Sequence, residues 1–279
     1  MDRSPFVRAQ RHTELHGLGP VPLDVAYRDV GEGPPVLLLH GIATWSYLWE
    51  GVIDQLADTS RVVAPDLLGY GHSDHRDCFD RSVRRQARMV ARLMDRVGLP
   101  AATVVGHDIG GAVAQVLAVD YTERVNGLVL VDSVAYDSWP STSMCELGDP
   151  NLVGQSDDIM RILRRDARKG HADSADAEAF EADMVAPYDS EEGRRSMVRN
   201  ASALTTNHTM ELADALPNLD LPALVVWGEE DPWQPLADAE RLADDLDAKL
   251  VTVPEGAHWL PYDHPAETAQ PIRTFVTAD

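Results

Sequence analysis

Residues 103–111 read TVVGHDIGG and join a predicted strand to a predicted helix. Three residues that favour β-strands lead into Gly-x-Asp-x-Gly, and small residues typical of a closely packed helix follow at 112–118. Glycines two positions before and after Asp108 allow a sharp turn and a close approach of helix and strand. The stretch therefore predicts that Asp108 is presented at the carboxyl end of a sheet strand. The alternative is a glycine-rich strand–helix turn with an incidental Asp.

Short apolar runs on both sides of this stretch predict further buried strands. An alternating segment at 25–30 precedes them, and 83–97 has a helical pattern that Gly98 ends. Strands that alternate with helices favour a mostly parallel sheet flanked by helices, the α/β class. The remaining predicted strands lie at 36–39, 61–66, 128–132, 221–227 and 250–253.

One long region breaks this alternation. Residues 139–216 contain no strand-like run and are rich in helix-forming and charged residues. We expect a helical cap inserted over the carboxyl edge of the sheet. The predicted division is a core of 1–138 and 217–279 with a cap of 139–216.

The charge of the chain limits its partners. The formal net charge is −22, which argues against nucleic acid and anionic membranes as partners. Nearly all the positive charge is Arg, and the only lysines are Lys169 and Lys249. This composition fits either an acidic protein from a high-GC genome or a halophilic source. We expect a monomer or homodimer.

Targeting and redox signals indicate a cytoplasmic protein. The polar start, 1–17, does not resemble a secretory signal, and no apolar run is long enough to span a membrane. Cys78 and Cys145 lack metal-ligand spacing, so free thiols in a reducing compartment are expected.

Five motifs together resemble the α/β-hydrolase fold with a cap. They are His40-Gly41, 64–73, the 103–111 stretch as a nucleophile elbow, 226–231 and 256–259. The resemblance implies Asp108 as nucleophile, His258 as base and Asp231 as the acid that orients the base. Asp132, at the end of an earlier strand, is the alternative acid, since some dehalogenases supply the acid from there. Asp66 and His72 are expected to be structural.

With an Asp at the elbow, the chain resembles three families of this fold: haloalkane dehalogenases, epoxide hydrolases and haloacetate dehalogenases. A carboxylate is already charged at neutral pH and can displace a leaving group from an sp³ carbon. The resulting aspartyl ester would be hydrolysed by water that His258 activates. Backbone N–H groups of Ile42 and Ile109 would hold the oxyanion. The expected substrate is a small apolar organic molecule with water, and no metal or organic cofactor is required.

The leaving group separates the candidate reactions. Haloalkane dehalogenases carry a Trp directly after the nucleophile, whose indole N–H binds halide, whereas haloacetate dehalogenases carry an Arg there. This chain has Ile109. Trp45, Trp139 or Trp259 could replace the missing indole donor, and we predict that all three contact substrate.

Epoxide hydrolases instead use cap tyrosines to protonate the ring oxygen. Tyr188 lies inside the predicted cap and Tyr136 just before it. On this ground the sequence favours an epoxide hydrolase acting on a small or medium apolar epoxide, with a haloalkane dehalogenase-like enzyme as the alternative. A ligand-binding protein of this fold with little turnover is the third possibility.

Overall fold

A computed structural model describes residues 4–171 and 177–278. Eight strands form one sheet in the order β1-β2-β4-β3-β5-β6-β7-β8. The first two pairings, β1 with β2 and β2 with β4, are antiparallel, and all the others are parallel. The strands are β1 (Arg11–Leu15), β2 (Leu23–Val30), β3 (Pro35–Leu39), β4 (Arg61–Pro65), β5 (Ala102–Asp108), β6 (Val125–Ser133), β7 (Ala223–Gly228) and β8 (Lys249–Val253).

Helices cover both faces of this sheet. The described residues form α1 (Ser4–Ala9), α2 (Glu50–Leu56), α3 (Val83–Val97), α4 (Ile109–Asp120), α5 (Thr142–Leu147), α6 (Ser156–Lys169), α7 (Ala177–Val185), α8 (Glu191–Ser202), α9 (Asn207–Met210), α10 (Leu236–Asp245), α11 (Leu260–Asp263) and α12 (Pro265–Thr277). Short 3₁₀ helices lie at Ser46–Trp49, Thr122–Arg124, Pro150–Leu152, Ala186–Tyr188 and Leu216–Asn218.

The predicted α/β architecture is confirmed, with a mostly parallel sheet between helices. The central strands are buried on both faces, because alternate residues of β3 enter different cores: Leu37 packs in one and Leu38 in the other. Helix α3 has the predicted bounds. The Ser82 side chain accepts a hydrogen bond from the Arg85 N–H at its start, and Gly98 (φ 70°) ends it. The sequence analysis missed β1 and α1.

Between β6 and β7 the described residues form helices and turns and no strand. This agrees with a helical insertion after 139, although 172–176 lie outside the described residues. Helix α5 packs against α6 and α8, and α6 packs against α7. The division of the chain into core and cap domains stays a prediction. No described helix is both long and apolar enough to cross a membrane.

Candidate active site

The turn between β5 and α4 places Asp108 at the carboxyl edge of the sheet. Asp108 has a φ of 52°, a left-handed conformation that is uncommon outside glycine. The two flanking glycines permit it: a Cβ on Gly106 would overlap the backbone of Gly110, and a Cβ on Gly110 would overlap the backbone of Leu39. The sharp strand–turn–helix predicted from the glycine spacing is therefore present.

Backbone N–H groups stabilise the Asp108 carboxylate. Its Oδ1 accepts a hydrogen bond from the Ile42 N–H at 2.8 Å, and the Ile109 N–H lowers the pKa of the carboxyl. Burial raises the pKa of Asp108, while His258 and the two N–H groups act in the opposite direction. The Ile42 N–H, one of the two groups predicted to hold an oxyanion, thus binds the Asp108 carboxylate itself.

His258 lies between two carboxylates. Its Nδ1 is 2.7 Å from Oδ2 of Asp231, and its Nε2 is 3.8 Å from Oδ2 of Asp108. Burial alone lowers the pKa of His258, but the charges of Asp231 and Asp108 outweigh it, so the pKa lies above the ordinary value. The other Asp231 oxygen accepts the backbone N–H groups of Trp233 and Gln234. Asp231 is therefore fixed while it orients the imidazole.

The rival carboxyl, Asp132, has a different place. It is fully buried, its Oδ1 accepts the Gly228 N–H at 2.8 Å, and no described group donates to its Oδ2. Burial, reinforced by the Asp231 charge, raises the pKa of Asp132 well above the ordinary range. Asp132 thus anchors the start of the loop that carries Asp231, and it makes no hydrogen bond to His258.

Other polar residues near the motifs also have structural contacts. Asp66 accepts the backbone N–H groups of Ser46 and His72. His107 is buried, and its Nε2 lies 2.8 Å from the carbonyl oxygen of His258, so it supports the loop from behind. None of these three side chains of the predicted motifs (Asp66, His72, His107) lines the cavity described next.

A cavity opens above Asp108 and His258. It holds about 660 Å³ of space between atoms, including its mouth. Residues on both sides of position 139 contribute, and most of the wall is apolar. Four further residues of the prediction line it: Ile42, Ile109, Trp139 and Trp259. Within the described ranges, no three His, Cys, Asp or Glu side chains are grouped so as to hold a metal ion.

The structure corrects three predicted substrate contacts, because Trp45, Tyr136 and Tyr188 do not line the cavity. The Tyr188 hydroxyl is buried behind the wall, where it donates to the Thr44 carbonyl at 3.1 Å and accepts the Gly71 N–H. The Tyr136 hydroxyl donates to Oδ2 of Asp245 at 2.6 Å. Neither phenol is placed to protonate a leaving group.

The three predicted indole donors already have hydrogen-bond acceptors within the protein. The indole N–H groups of Trp45, Trp139 and Trp259 donate to the Asp183 carbonyl, the Thr209 hydroxyl and the Ala167 carbonyl, respectively. The predicted substrate contacts at Trp139 and Trp259 thus come from their rings alone. A fourth tryptophan, Trp233, was missed.

Trp233 lines the cavity with its ring centroid 4.9 Å from that of His258. No described residue accepts its indole N–H, although its backbone N–H binds Asp231. The sequence carried a signal for this residue, because Trp233 follows Asp231 by two positions in the same loop.

Comparison with known proteins places this geometry in a family. The family model for the alpha/beta hydrolase fold matches residues 34–265. Haloalkane dehalogenase 2 of Mycobacterium tuberculosis is 29% identical over 262 residues, which is 89% of this chain and 90% of that protein.

Solved structures of other proteins have a similar fold. An alpha/beta hydrolase fold protein from Burkholderia ambifaria has a TM-score of 0.86 at 26% identity, covering 94% of this chain and 96% of that chain. A haloalkane dehalogenase from Bradyrhizobium elkani has a TM-score of 0.82 at 23% identity, covering 96% and 97%. With the family model matching most of its length, this chain belongs to the α/β-hydrolase fold family.

Proposed function

We propose that this protein hydrolyses a carbon–halogen bond at an sp³ carbon of a small apolar substrate. One observation carries the proposal: the Asp108 carboxylate has Oδ1 bound to the Ile42 N–H and Oδ2 facing His258 at 3.8 Å, below an apolar cavity. A carboxylate held in this way can attack carbon without first losing a proton.

The reaction has two steps. In the first, Oδ2 of Asp108 attacks the carbon, a C–O bond forms, and halide leaves with the electrons of the C–X bond. In the second, Nε2 of His258 takes a proton from water as the water attacks Cγ of Asp108. The oxyanion on Oδ1 is stabilised by the N–H groups of Ile42 and Ile109. Collapse releases the alcohol and regenerates the carboxylate, and the net products are alcohol, halide and a proton.

Two findings favour halide over epoxide and reverse the preference drawn from the sequence. Both candidate phenols, Tyr136 and Tyr188, have their hydroxyl groups bound outside the cavity, so the acid that an epoxide oxygen requires is not supplied by them. A haloalkane dehalogenase also matches this chain over 89% of its length.

Ile109 offers no side-chain donor for the departing halide, so another group must stabilise it. We assign this contact to Trp233, whose indole N–H has no acceptor among the described residues and whose ring borders the cavity beside His258. Trp233→Phe should keep the ring and weaken bromide binding, measured by quenching of tryptophan fluorescence, about tenfold. Equal bromide affinity in parent and variant would remove Trp233 from this role.

Profiling on matched haloalkanes, epoxides and esters tests the reaction class. We expect halide release from primary bromoalkanes and no comparable turnover of epoxides. Epoxide opening as the dominant activity would replace the proposal, and no turnover on any substrate would favour a ligand-binding protein.

Single turnover in ¹⁸O-water tests the mechanism separately. Water attacks Cγ of Asp108, so the label should enter the carboxylate of Asp108 and the first alcohol formed should be unlabelled. Label found only in the alcohol would mean that water attacks the substrate carbon directly.

A further inference from the structure

Asp166 places a second carboxylate in the wall of the cavity. It lies on the face of α6 that also presents Leu163 and Ala167 to the cavity, and the whole residue is only 8% exposed. The rest of this face is apolar. An isolated carboxylate is costly in such surroundings unless it has a partner.

Among the described residues, one oxygen of Asp166 has a hydrogen-bond partner and the other has none. Oδ1 accepts a hydrogen bond at 3.0 Å from Nε of Arg165, whose exposed guanidinium also binds Glu146. Oδ2 is buried, and no group of the described residues donates to it. A carboxylate oxygen only accepts hydrogen bonds, so the group that satisfies Oδ2 must be a donor.

Neighbouring residues extend this polar part of the wall. Ser141 and Ser143 also line the cavity, at the start of α5, which packs against α6. Their hydroxyls lie 3.1 Å apart, and each can accept or donate. This part of a mostly apolar cavity wall therefore carries one carboxylate and two hydroxyls.

We infer that Asp166 selects substrates that carry a hydrogen-bond donor, a hydroxyl or ammonium group, at the end remote from the reacting carbon. The apolar wall holds the alkyl chain, Asp108 attacks one end, and the Asp166 carboxylate accepts from the other. A terminal carboxylate is disfavoured, because it brings a third negative charge near Asp108 and Asp166. Which end reacts rests on the proposed function; the preference for a donor does not.

Equilibrium binding of unreactive ligands tests the inference without any chemistry. The probes are an alkylammonium, an alcohol, a methyl ether and a carboxylate of equal chain length, titrated by calorimetry against the parent protein. We expect the ammonium and the alcohol to bind about tenfold or more tightly than the ether, and the carboxylate to bind weakest. Equal affinities for ammonium, alcohol and ether would overturn the inference.

Variants locate the contact. Asp166→Leu should remove the advantage of both donors over the ether, whereas Asp166→Asn, which keeps the shape and one acceptor oxygen, should lose the ammonium advantage and retain part of the alcohol advantage. Asp158→Asn, on the same helix but outside the cavity, is the matched control and should change nothing. An unchanged ammonium affinity in Asp166→Asn would show that the ammonium binds elsewhere, for example at Asp108. Asp166 would then not be the acceptor.

The outcome is separable from that of the proposed function. If the donor preference is found and haloalkanes are not hydrolysed, the reaction is wrong and the subsite stands. If haloalkanes are hydrolysed and the donor preference is missing, Asp166 is a structural residue.

Discussion

The Nε2 atom of His258 lies 3.8 Å from Oδ2 of Asp108, which is beyond hydrogen-bonding distance. A serine nucleophile needs a direct hydrogen bond to its base, because the base must take the serine proton during attack. Here Oδ2 carries no proton to transfer, and the gap leaves the histidine available for water. In the proposed reaction, ester formation and ester hydrolysis therefore depend on different residues.

Replacing the base should trap the intermediate. In His258→Phe, Asp108 can still be alkylated but water is not activated, so the protein should gain the mass of the alkyl group in intact-mass spectrometry. Asp108→Ala should show neither turnover nor adduct. Residual steady turnover without adduct in His258→Phe would mean that Asp108 acts as a general base.

The two buried acids should differ in their effect on rate. Asp231→Asn removes the carboxylate 2.7 Å from Nδ1 of His258 and should lower kcat by roughly 10²–10⁴. Asp132→Asn can still accept the Gly228 N–H and should keep kcat within about threefold of the parent. The opposite ranking in steady-state kinetics would make Asp132 the acid.

Lowering the pH should slow hydrolysis of the ester more than its formation. Burial lowers the pKa of His258, but the Asp231 and Asp108 charges raise it above its ordinary value, so the base is lost first as the pH falls. Burial also raises the pKa of Asp108, but the protonated imidazole acts in the opposite direction. We therefore expect this carboxyl, whose ordinary pKa is about 4, to stay ionised at pH 5.5 and still to be alkylated. Rapid-quench mass spectrometry should therefore find more ester at pH 5.5 than at pH 8. Less ester at the lower pH would show that Asp108 is protonated before His258.

Asp132 should destabilise the fold at neutral pH. Burial, with the Asp231 charge, raises its folded-state pKa well above the unfolded value of about 4, so the folded state binds the extra proton. That contribution to stability is present at low pH and is lost as the pH rises above about 4. Asp132→Asn should raise the Tm at pH 7 by roughly 2 °C or more, with a smaller gain at pH 4.5. A gain that does not depend on pH would point to packing instead.

The two tyrosines should matter for stability rather than chemistry. Tyr188→Phe loses hydrogen bonds to the Thr44 carbonyl and the Gly71 N–H and should cost about 1–2 kcal/mol in the free energy of unfolding. Ester formation, followed by rapid quench, should stay within about twofold of the parent in both Tyr188→Phe and Tyr136→Phe. A large loss of ester formation in either variant would restore the phenol as an acid.

The sheet and the polar site could be predicted because short segments encode them. Glycine spacing alone gives the turn at Asp108. Asp231 and His258 follow neighbouring strands of the parallel part of the sheet, and the carboxyl ends of such strands meet at one edge. The strand pattern therefore predicts that these three side chains lie at one edge, while the resemblance to the α/β-hydrolase motifs implies their roles.

The side chains of residues 139–216 that face the cavity could not be predicted in the same way. In a parallel sheet, strand order and direction determine which residues meet at one edge. In a group of helices, tertiary packing determines which side of each helix faces the cavity. Aromatic residues suit a packed wall as well as a binding surface, and Tyr188 and Trp45 proved to belong to the packing. Asp166 lies in a charged run that looks solvent-exposed in the sequence, and only the tertiary arrangement of α6 turns it inward.

The hydrogen bond from the Ile42 N–H to Oδ1 gives the two oxygens of Asp108 different fates. In the proposed reaction, Oδ2 leaves with each molecule of alcohol and is replaced by an oxygen from water, whereas Oδ1 stays bound as carboxylate, ester carbonyl and oxyanion in turn. After many cycles in ¹⁸O-water, Asp108 should hold one heavy oxygen and one original oxygen. The nucleophile would thus keep an atom from its biosynthesis through every turnover, for as long as that hydrogen bond prevents the carboxylate from rotating.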